Sequence, residues 1–233
     1  MQYLGGKSKI RKQIASFLES IRKKDQPYLE PFVGGGWILQ EMSGERYASD
    51  GNVALITMYQ ALNNGWEPPD FVSEDDYKEA MLNRDMSNPI TAFCGFGCSF
   101  GGKWFGGYAR SEGKNCYAAT SKRSLMKQLP MIRDVHFTSG DYRQHSPKGM
   151  LVYCDPPYTD TTSYGAFDGF DSDGFWQTMR VWSSNNTVVI SEYKAPDDFI
   201  CMLEIGSRMG LTAGGERPIR TEKLFMLKPE WMR

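Results

Sequence analysis

The sequence lacks long apolar segments. No run of about 18 apolar residues occurs in the 233-residue chain, so we expect no membrane-spanning helix. Residues 1–7 also lack the apolar centre of a signal peptide, which predicts a cytoplasmic protein. Hydrophobic residues make up 40% and charged residues 24% of the chain, proportions that are ordinary for a soluble globular protein. A chain of this length accommodates one α/β domain together with a small insertion.

Metal ligands are scarce as well. The chain has only two histidines and five cysteines. Cys94 and Cys98 are four positions apart, but neither His136 nor His145 extends them into a metal-binding spacing. An odd and scattered set of cysteines is typical of reduced, buried thiols, so we predict no bound metal.

Positive charge is concentrated in one segment. The net charge is −1, yet seven basic residues and a single acid, Glu112, lie between residues 103 and 133. A block of like charges is usually a solvated face. Glycines and aromatic residues interrupt this one, which favours a surface that binds a phosphate backbone. The predicted phosphate contacts are Lys103, Arg110, Lys114, Lys122 and Arg123.

The first 50 residues have the pattern of a nucleotide-binding α/β unit. Apolar residues recur at helical spacing over 8–24, and a buried strand is predicted over 28–33. Three glycines at 34–36, a helix over 37–42 and a strand over 46–49 that ends at Asp50 follow. Strand, glycine turn, helix, strand and acid in this order form the first half of such a unit.

Residues 53–133 break that rhythm. Two predicted helices, at 53–64 and 73–84, lead into an irregular segment at 93–117 with at least one hairpin, so we predict an inserted subdomain. Strands resume at 134–138, 150–154, 187–191 and 224–227, with a helix at 173–183. Residues 1–52 and 134–233 therefore form the predicted main domain.

The strongest chemical signal follows the apolar strand at 150–154. Asp155-Pro156-Pro157-Tyr158 lies where a parallel sheet places its ligands, beyond the carboxyl end of a strand. An aromatic amine such as adenine N6 is a poor nucleophile because its lone pair is delocalised. Asp155 and a carbonyl oxygen fixed by the prolines can each accept one amine hydrogen, and that favours a pyramidal, reactive nitrogen. Tyr158 offers a face on which an extruded base can stack.

Three further motifs have weaker signals, and each also has an ordinary structural interpretation. Glu30-Pro31-Phe32-Val33-Gly34-Gly35-Gly36 lets a ligand approach the backbone, and Asp50 follows where an acid binds ribose hydroxyls, although a plain strand–helix turn fits too. Tyr3-Leu4-Gly5-Gly6-Lys7 could hold the carboxylate of an amino-acid-like ligand, or be an ordinary terminus. Asp141-Tyr142 could contact a cofactor adenine, or form a polar loop.

Taken together, these motifs resemble the Dam-type family of DNA adenine-N6 methyltransferases. The resemblance implies a Rossmann-like methyltransferase fold, a seven-stranded and mostly parallel sheet, in which residues 53–133 form the DNA-recognition insertion. It implies S-adenosylmethionine as the cofactor and double-stranded DNA as the partner. Catalytic roles are implied for Asp155, Pro156, Pro157 and Tyr158. Cofactor contacts are implied for Tyr3, Gly5, Gly6, Lys7, Glu30, Phe32, Gly34, Gly35, Gly36, Asp50, Asp141, Tyr142 and Asp155.

The predicted reaction is methyl transfer to N6 of a flipped adenine in DNA. Methylation of cytosine N4 or of RNA adenine poses the same chemical problem and stays an alternative. A DNA-binding homologue that has lost turnover is the alternative of another class. A methyl-transfer assay with nucleoside analysis of the product distinguishes all of these.

Overall fold

The computed structural model describes residues 1–110, 116–157, 170–208 and 219–232. Within these ranges the chain forms six α-helices and seven strands. The helices are α1 (Arg11–Ile21), α2 (Val53–Asn63), α3 (Glu74–Asn83), α4 (Pro89–Ala92), α5 (Tyr117–Ile132) and α6 (Ser172–Ser183). The strands are β1 (Tyr28–Glu30), β2 (Arg46–Asp50), β3 (His136–Ser139), β4 (Leu151–Cys154), β5 (Thr187–Glu192), β6 (Phe199–Arg208) and β7 (Ile219–Leu227).

All seven strands form one sheet in the order β3-β2-β1-β4-β5-β7-β6. Strands β1 to β5 pair in parallel, whereas β7 is antiparallel to both β5 and β6. The predicted Rossmann-like methyltransferase fold is confirmed by this topology. Because β1 pairs with β2 on one side and β4 on the other, the strand order reverses at β1 and opens a crevice at the carboxyl ends there.

The central strands are apolar because helices and loops cover both faces of a parallel sheet. All four residues of β4, from Leu151 to Cys154, are fully buried. The chain that leaves β4 therefore emerges from the core directly at the crevice, and its next residue is Asp155.

The predicted helices match the structure in part. Helix α1 turns Ile14 and Leu18 into the core, as the apolar spacing indicates, but it is shorter than the predicted range 8–24. The helix predicted over 37–42 is wrong, since only a short 3-10 turn at Leu39–Glu41 forms there. Positive φ angles at Gly36 (65°) and Gly44 (72°) bound this segment and leave room for one turn.

Residues 53–133 share the hydrophobic core with the sheet. Tyr59 of α2 stacks on Phe137 of β3, with ring centroids 5.0 Å apart. Leu125 and Ile132 of α5, a helix that the sequence did not predict, are buried in the same cluster. The assignment of this segment as a DNA-recognition insertion stays a prediction.

Between α4 and α5 the backbone is irregular. A π-helical turn at Phe93–Gly97 is followed by one antiparallel bridge between Ser99 and Tyr108, which closes a hairpin-like loop. We call residues 95–107 the glycine–aromatic loop. No helix in the described ranges is both long and apolar enough to cross a lipid bilayer.

Candidate active site

A cavity of about 370 Å³ opens at the carboxyl ends of β1, β2 and β4. It brings together most of the predicted site residues from distant parts of the sequence. The predicted residues that line it are Tyr3, Gly5, Gly6, Lys7, Glu30, Phe32, Gly34, Gly35, Asp50, Lys103, Asp141, Tyr142, Asp155, Pro156 and Pro157. Tyr158 lies outside the described residues, so its predicted stacking role stays a prediction.

The glycine turn after β1 is held by hydrogen bonds on both sides. The Gly34 amide donates to Asp50 Oδ2 (3.0 Å), and the Tyr59 hydroxyl donates to the Gly34 carbonyl (2.9 Å). Gly36 does not line the cavity; its carbonyl accepts a hydrogen bond from Gln128 Nε2 (2.9 Å). The turn therefore presents a rigid backbone surface to the cavity.

Asp50 ends β2 at the edge of the cavity. Besides the Gly34 amide, its carboxylate accepts a hydrogen bond from the Asn52 amide at 2.8 Å. Burial raises the pKa of Asp50, and these two backbone hydrogen bonds oppose the rise. A carboxylate fixed in this way at a strand end is suited to accept hydrogen bonds from ribose hydroxyls.

The N-terminal segment packs directly on the glycine turn. A Cβ atom added to Gly34, whose φ is +45°, would lie 2.8 Å from Cε1 of Tyr3. The Tyr3 ring also contacts Phe96 of the glycine–aromatic loop, with centroids 4.8 Å apart. The Leu4 amide donates to the Gly102 carbonyl (3.0 Å), so this loop forms part of the cavity wall.

Trp37 is a cavity residue that the sequence did not predict. Its indole nitrogen is so close to Gly6 and Gly35 that an added Cβ would lie 2.9 Å and 2.8 Å from it. Both glycines are therefore needed for the close packing of the indole. Trp37 directly follows the third glycine of the turn, and this position could have indicated that it lies at the cavity.

Lys7 and Asp155 form an ion pair, in which the Lys7 side chain is buried and the Asp155 side chain is partly exposed. Lys7 Nζ lies 2.9 Å from Asp155 Oδ1 and 3.4 Å from Glu222 Oε2 of β7. Burial by itself lowers the pKa of the Lys7 ammonium, but the charges and hydrogen bonds of Asp155 and Glu222 outweigh it and raise that pKa above its ordinary value. Lys7 thus contacts the predicted catalytic carboxylate and remains charged. Glu222 was not among the predicted site residues.

Glu30 is the most deeply buried acid of the cavity wall. Its carboxyl accepts a hydrogen bond from the Tyr28 hydroxyl at 2.8 Å. Burial raises the pKa of Glu30 well above its ordinary value, although the hydrogen bond from Tyr28 opposes this. A cationic group that enters the cavity beside Glu30 would favour its ionised form.

Asp141 and Tyr142 also line the cavity. Arg143, a residue that the sequence did not predict, donates from its backbone amide (2.8 Å) and from Nε (2.9 Å) to Asp141 Oδ1. These hydrogen bonds hold the pKa of Asp141 below its ordinary value. Tyr142 packs against Phe32, with ring centroids 5.0 Å apart, which gives this wall an aromatic surface.

The cavity fits S-adenosylmethionine in charge and in chemistry. Five carboxyl side chains line it against three cationic ones, and the other four acids still outnumber the cations when Glu30 is protonated. The site therefore favours a cationic ligand, as the sulfonium and ammonium groups of this cofactor require. The aromatic wall suits an adenine ring and Asp50 suits ribose hydroxyls. In the ranges 1–110, 116–157, 170–208 and 219–232, no cluster of three or more His, Cys, Asp or Glu side chains is arranged to hold a metal ion.

The predicted phosphate contacts differ in whether an acidic side chain already pairs with them. Arg110 donates three hydrogen bonds to Glu74 (2.7 and 2.8 Å from Nη2, 3.2 Å from Nε), and Lys122 Nζ lies 2.9 Å from Asp70 Oδ2. Lys103 and Arg123 are exposed, and neither has an ion-pair partner among the residues that the structure describes. Lys114 lies outside those residues.

Comparison with known proteins supports the same interpretation. Residues 3–91 match the family model of the D12 class N6 adenine-specific DNA methyltransferases. This segment includes the N-terminal motif, the glycine turn and Asp50. A search of the curated proteins finds no match.

Several solved structures are similar at low sequence identity. The rRNA methyltransferase aviRa from Streptomyces viridochromogenes is 14% identical, with 92% of this chain and 84% of that chain covered and a TM-score of 0.40. Precorrin-6y C5,15-methyltransferase from Geobacter metallireducens is 8% identical, with 96% and 93% covered and a TM-score of 0.41. Precorrin 8W decarboxylase from Methanobacterium thermoautotrophicum is 11% identical, with 93% and 88% covered and a TM-score of 0.41.

The residues matched by the family model include residues that line the cavity. The match covers the part of the chain that supplies the glycine turn, Asp50 and Lys7 to the cavity. The match thus supports methyl transfer as the class of reaction, with S-adenosylmethionine as the methyl donor. The resemblance to the DNA adenine-N6 methyltransferase family is confirmed by the match over residues 3–91.

Proposed function

We propose that the protein transfers a methyl group from S-adenosylmethionine to N6 of adenine in double-stranded DNA. One observation carries this proposal: the Asp155 carboxylate shares a single cavity with the glycine turn at residues 34 and 35. A group that accepts amine hydrogens thus lies next to the surface that is suited to hold the methyl donor. The family match over residues 3–91 supports the choice of adenine as the base and of DNA as the substrate.

Asp155 and the prolines after it would activate the amine. S-adenosylmethionine, when bound, supplies an electrophilic methyl group on a sulfonium sulfur. Asp155 accepts one hydrogen bond from N6, and the Pro156 carbonyl accepts the other. Neither Pro156 nor Pro157 has an amide N–H, so neither competes for these acceptors. The amine lone pair is then directed at the methyl carbon, and the carboxylate stabilises the positive charge that develops on nitrogen.

The target base must leave the duplex to reach this cavity. Extrusion of a base costs a few kcal/mol of stacking and pairing. Lys103, at the rim of the cavity, and Arg123 on α5 are exposed cations that would bind the phosphates around the extruded nucleotide. The residues that would hold the base itself include Pro156 and Tyr158, in agreement with the family resemblance.

Replacement of Asp155 by alanine tests the proposal. D155A is expected to lose nearly all transfer of methyl groups to DNA while it keeps duplex binding, because it removes the acceptor of the amine hydrogen. Lys7 loses one ion-pair partner in this variant but keeps Glu222 as the other. The exposed Asp197, on the loop before β6, provides the matched control D197A, which should retain full activity. Full turnover by D155A would exclude the role of Asp155.

Nucleoside analysis of the product identifies the reaction. Digestion of methylated duplex DNA should yield N6-methyladenine. N4-methylcytosine, or methylation of RNA in preference to DNA, would replace the proposed substrate by one of the two related alternatives. Duplex binding without any methylated nucleoside would indicate a homologue that has lost turnover.

A further inference from the structure

Glu222 is a buried carboxylate that does not line the cavity. It lies on β7, and its side chain is 7% exposed. Nothing in the proposed reaction uses it directly. Its two oxygens nevertheless have different partners, and one of those partners reaches the predicted catalytic carboxylate.

The contacts form a chain across the sheet. Ser191 Oγ of β5 donates to Glu222 Oε1 at 2.6 Å, and Lys7 Nζ lies 3.4 Å from Glu222 Oε2. Lys7 Nζ then donates to Asp155 Oδ1 at 2.9 Å. Four separate parts of the chain are therefore linked, and Lys7 lies between the two carboxylates.

The second carboxylate, Glu222, changes the net charge around Lys7 and Asp155. Lys7 and Asp155 alone would form a neutral pair, in which the ammonium satisfies the carboxylate and weakens it as an acceptor. With Glu222 added, the ionised group has one negative charge in excess. A second acid that shares the ammonium leaves Asp155 a stronger acceptor for an incoming amine and stabilises nearby positive charge.

We propose that Glu222 is a positioning residue of the methyl-transfer site, which shares Lys7 with Asp155 and so fixes both the place and the acceptor strength of the Asp155 carboxylate. This inference rests on the proposed function. Ser191 serves as the anchor of Glu222, because its hydroxyl donates to Oε1 of the carboxylate, whereas Lys7 Nζ lies 3.4 Å from Oε2.

The experiment compares three variants of the full chain. E222Q removes the charge but keeps an oxygen that can accept the Ser191 hydrogen bond, and E222D keeps the charge on a shorter side chain. E204Q is the matched control, because Glu204 lies on the neighbouring strand β6, forms an ion pair with Lys223 and is 56% exposed. Thermal unfolding of each variant verifies that it is folded.

Methyl transfer is measured in a single turnover with saturating cofactor and DNA. E222Q is expected to lower this rate about 100-fold, the typical cost of a misplaced reacting group, while binding of both ligands changes little. E222D should recover most of the loss, and E204Q should behave as the unchanged protein. A merely structural role of Glu222 would lower stability without this selective loss of rate.

A second readout does not depend on turnover. Titration of the lysine side chains by NMR, with Lys7 assigned through K7R, should show a lower pKa for Lys7 in E222Q than in the unchanged protein. Besides Asp155 and Glu222, the titratable groups that face this cluster are Glu30, Tyr153 and Cys154. E204Q should leave the Lys7 titration unchanged.

The outcomes separate the two proposals. If the unchanged protein transfers no methyl group, the proposed function fails and this inference fails with it. If the unchanged protein is active and E222Q has the same rate, the inference alone is overturned. An unaltered Lys7 titration in E222Q overturns it as well.

Discussion

Gln128 of α5 donates from its Nε2 to the carbonyl oxygens of both Gly35 (3.1 Å) and Gly36 (2.9 Å). Gln128 is buried, so no water can easily replace these hydrogen bonds. One side chain from the predicted DNA-recognition segment thus fixes the turn on which the methyl donor is expected to lie. The helix that carries Gln128 also carries Arg123, a predicted phosphate contact.

Replacement of Gln128 by methionine should weaken cofactor binding. Methionine has nearly the same size but no donor, so the Gly35 carbonyl loses its hydrogen bond from Gln128, while the Gly36 carbonyl keeps the one from the Gln40 amide (3.2 Å). The free energy of unfolding should fall by about 2 kcal/mol. The looser turn should raise the Kd for S-adenosylmethionine about tenfold, measured by calorimetry. Gln60, which donates to the Phe137 carbonyl away from the cavity, gives the control Q60M with unaltered cofactor binding. Equal affinities in Q128M and the unchanged protein would contradict the prediction.

Replacement of Gly34 by alanine should strain the backbone and displace Tyr3. A φ of +45° costs a residue with a Cβ about 1–2 kcal/mol, and here the Cβ would also meet the Tyr3 ring at 2.8 Å. Gly149 has a φ of +68° with no atom within 4 Å of an added Cβ, so G149A measures the backbone strain alone. Urea unfolding should therefore rank G34A below G149A in stability. Equal losses of stability in G34A and G149A would mean that the contact with Tyr3 adds nothing to the cost of the substitution.

Glu30 should make stability fall as the pH rises. Its folded-state pKa is raised well above the ordinary 4.5, so above that value the unfolded chain releases the proton while the folded chain keeps it. The folded state then binds more protons, and stability falls by up to about 1.4 kcal/mol per pH unit until the folded-state pKa is reached.

Glu30→Gln provides the measurement. Glutamine resembles the protonated acid and does not titrate, so E30Q should gain stability relative to the unchanged protein as the pH rises above the ordinary glutamate pKa. At lower pH the two should converge. Chemical unfolding over a pH series measures the difference, and a difference that does not vary with pH would contradict burial as the cause.

The exposed cations should dominate the salt dependence of DNA binding. Lys103 and Arg123 are exposed, whereas Arg110 and Lys122 are already paired with Glu74 and Asp70. The double variant K103A/R123A should reduce the slope of log K against log salt by about two, since each phosphate contact contributes about 0.9. R110A/K122A should reduce it less. The reverse ranking would show that the ion pairs open when DNA binds.

The chemistry-bearing parts of the fold could be predicted because their signals are local. The apolar run before Asp155 and the glycines after β1 fix the ends of two parallel strands, and strand ends gather at one edge of a sheet. That Asp155, Gly34 and Gly35 line the same cavity follows from this rule. Fold class and cavity were therefore accessible from the sequence.

Other elements were missed for physical reasons. In β6 the alternation of apolar and polar residues is interrupted by a shift of register between Cys201 and Leu203, so the period of two does not persist. Helix α5 contains Pro130, a residue that usually ends a helix. Glu222 was not predicted as a site residue because its contact with Lys7 joins positions more than 200 residues apart, which no local pattern reveals.

The hydrogen bond from Leu4 to Gly102 joins the segment that carries Tyr3 and Lys7 to the loop that carries Lys103. In G102A the added Cβ would lie 2.6 Å from backbone atoms of Gln2 and Tyr3, so the two segments are closely packed against each other. If the loop binds duplex DNA as proposed, a movement of the loop on binding would alter the pocket for the methyl donor. Thermodynamic reciprocity then requires each ligand to change the affinity of the other by the same factor. Donor and duplex should accordingly bind as a cooperative pair, in either order of addition.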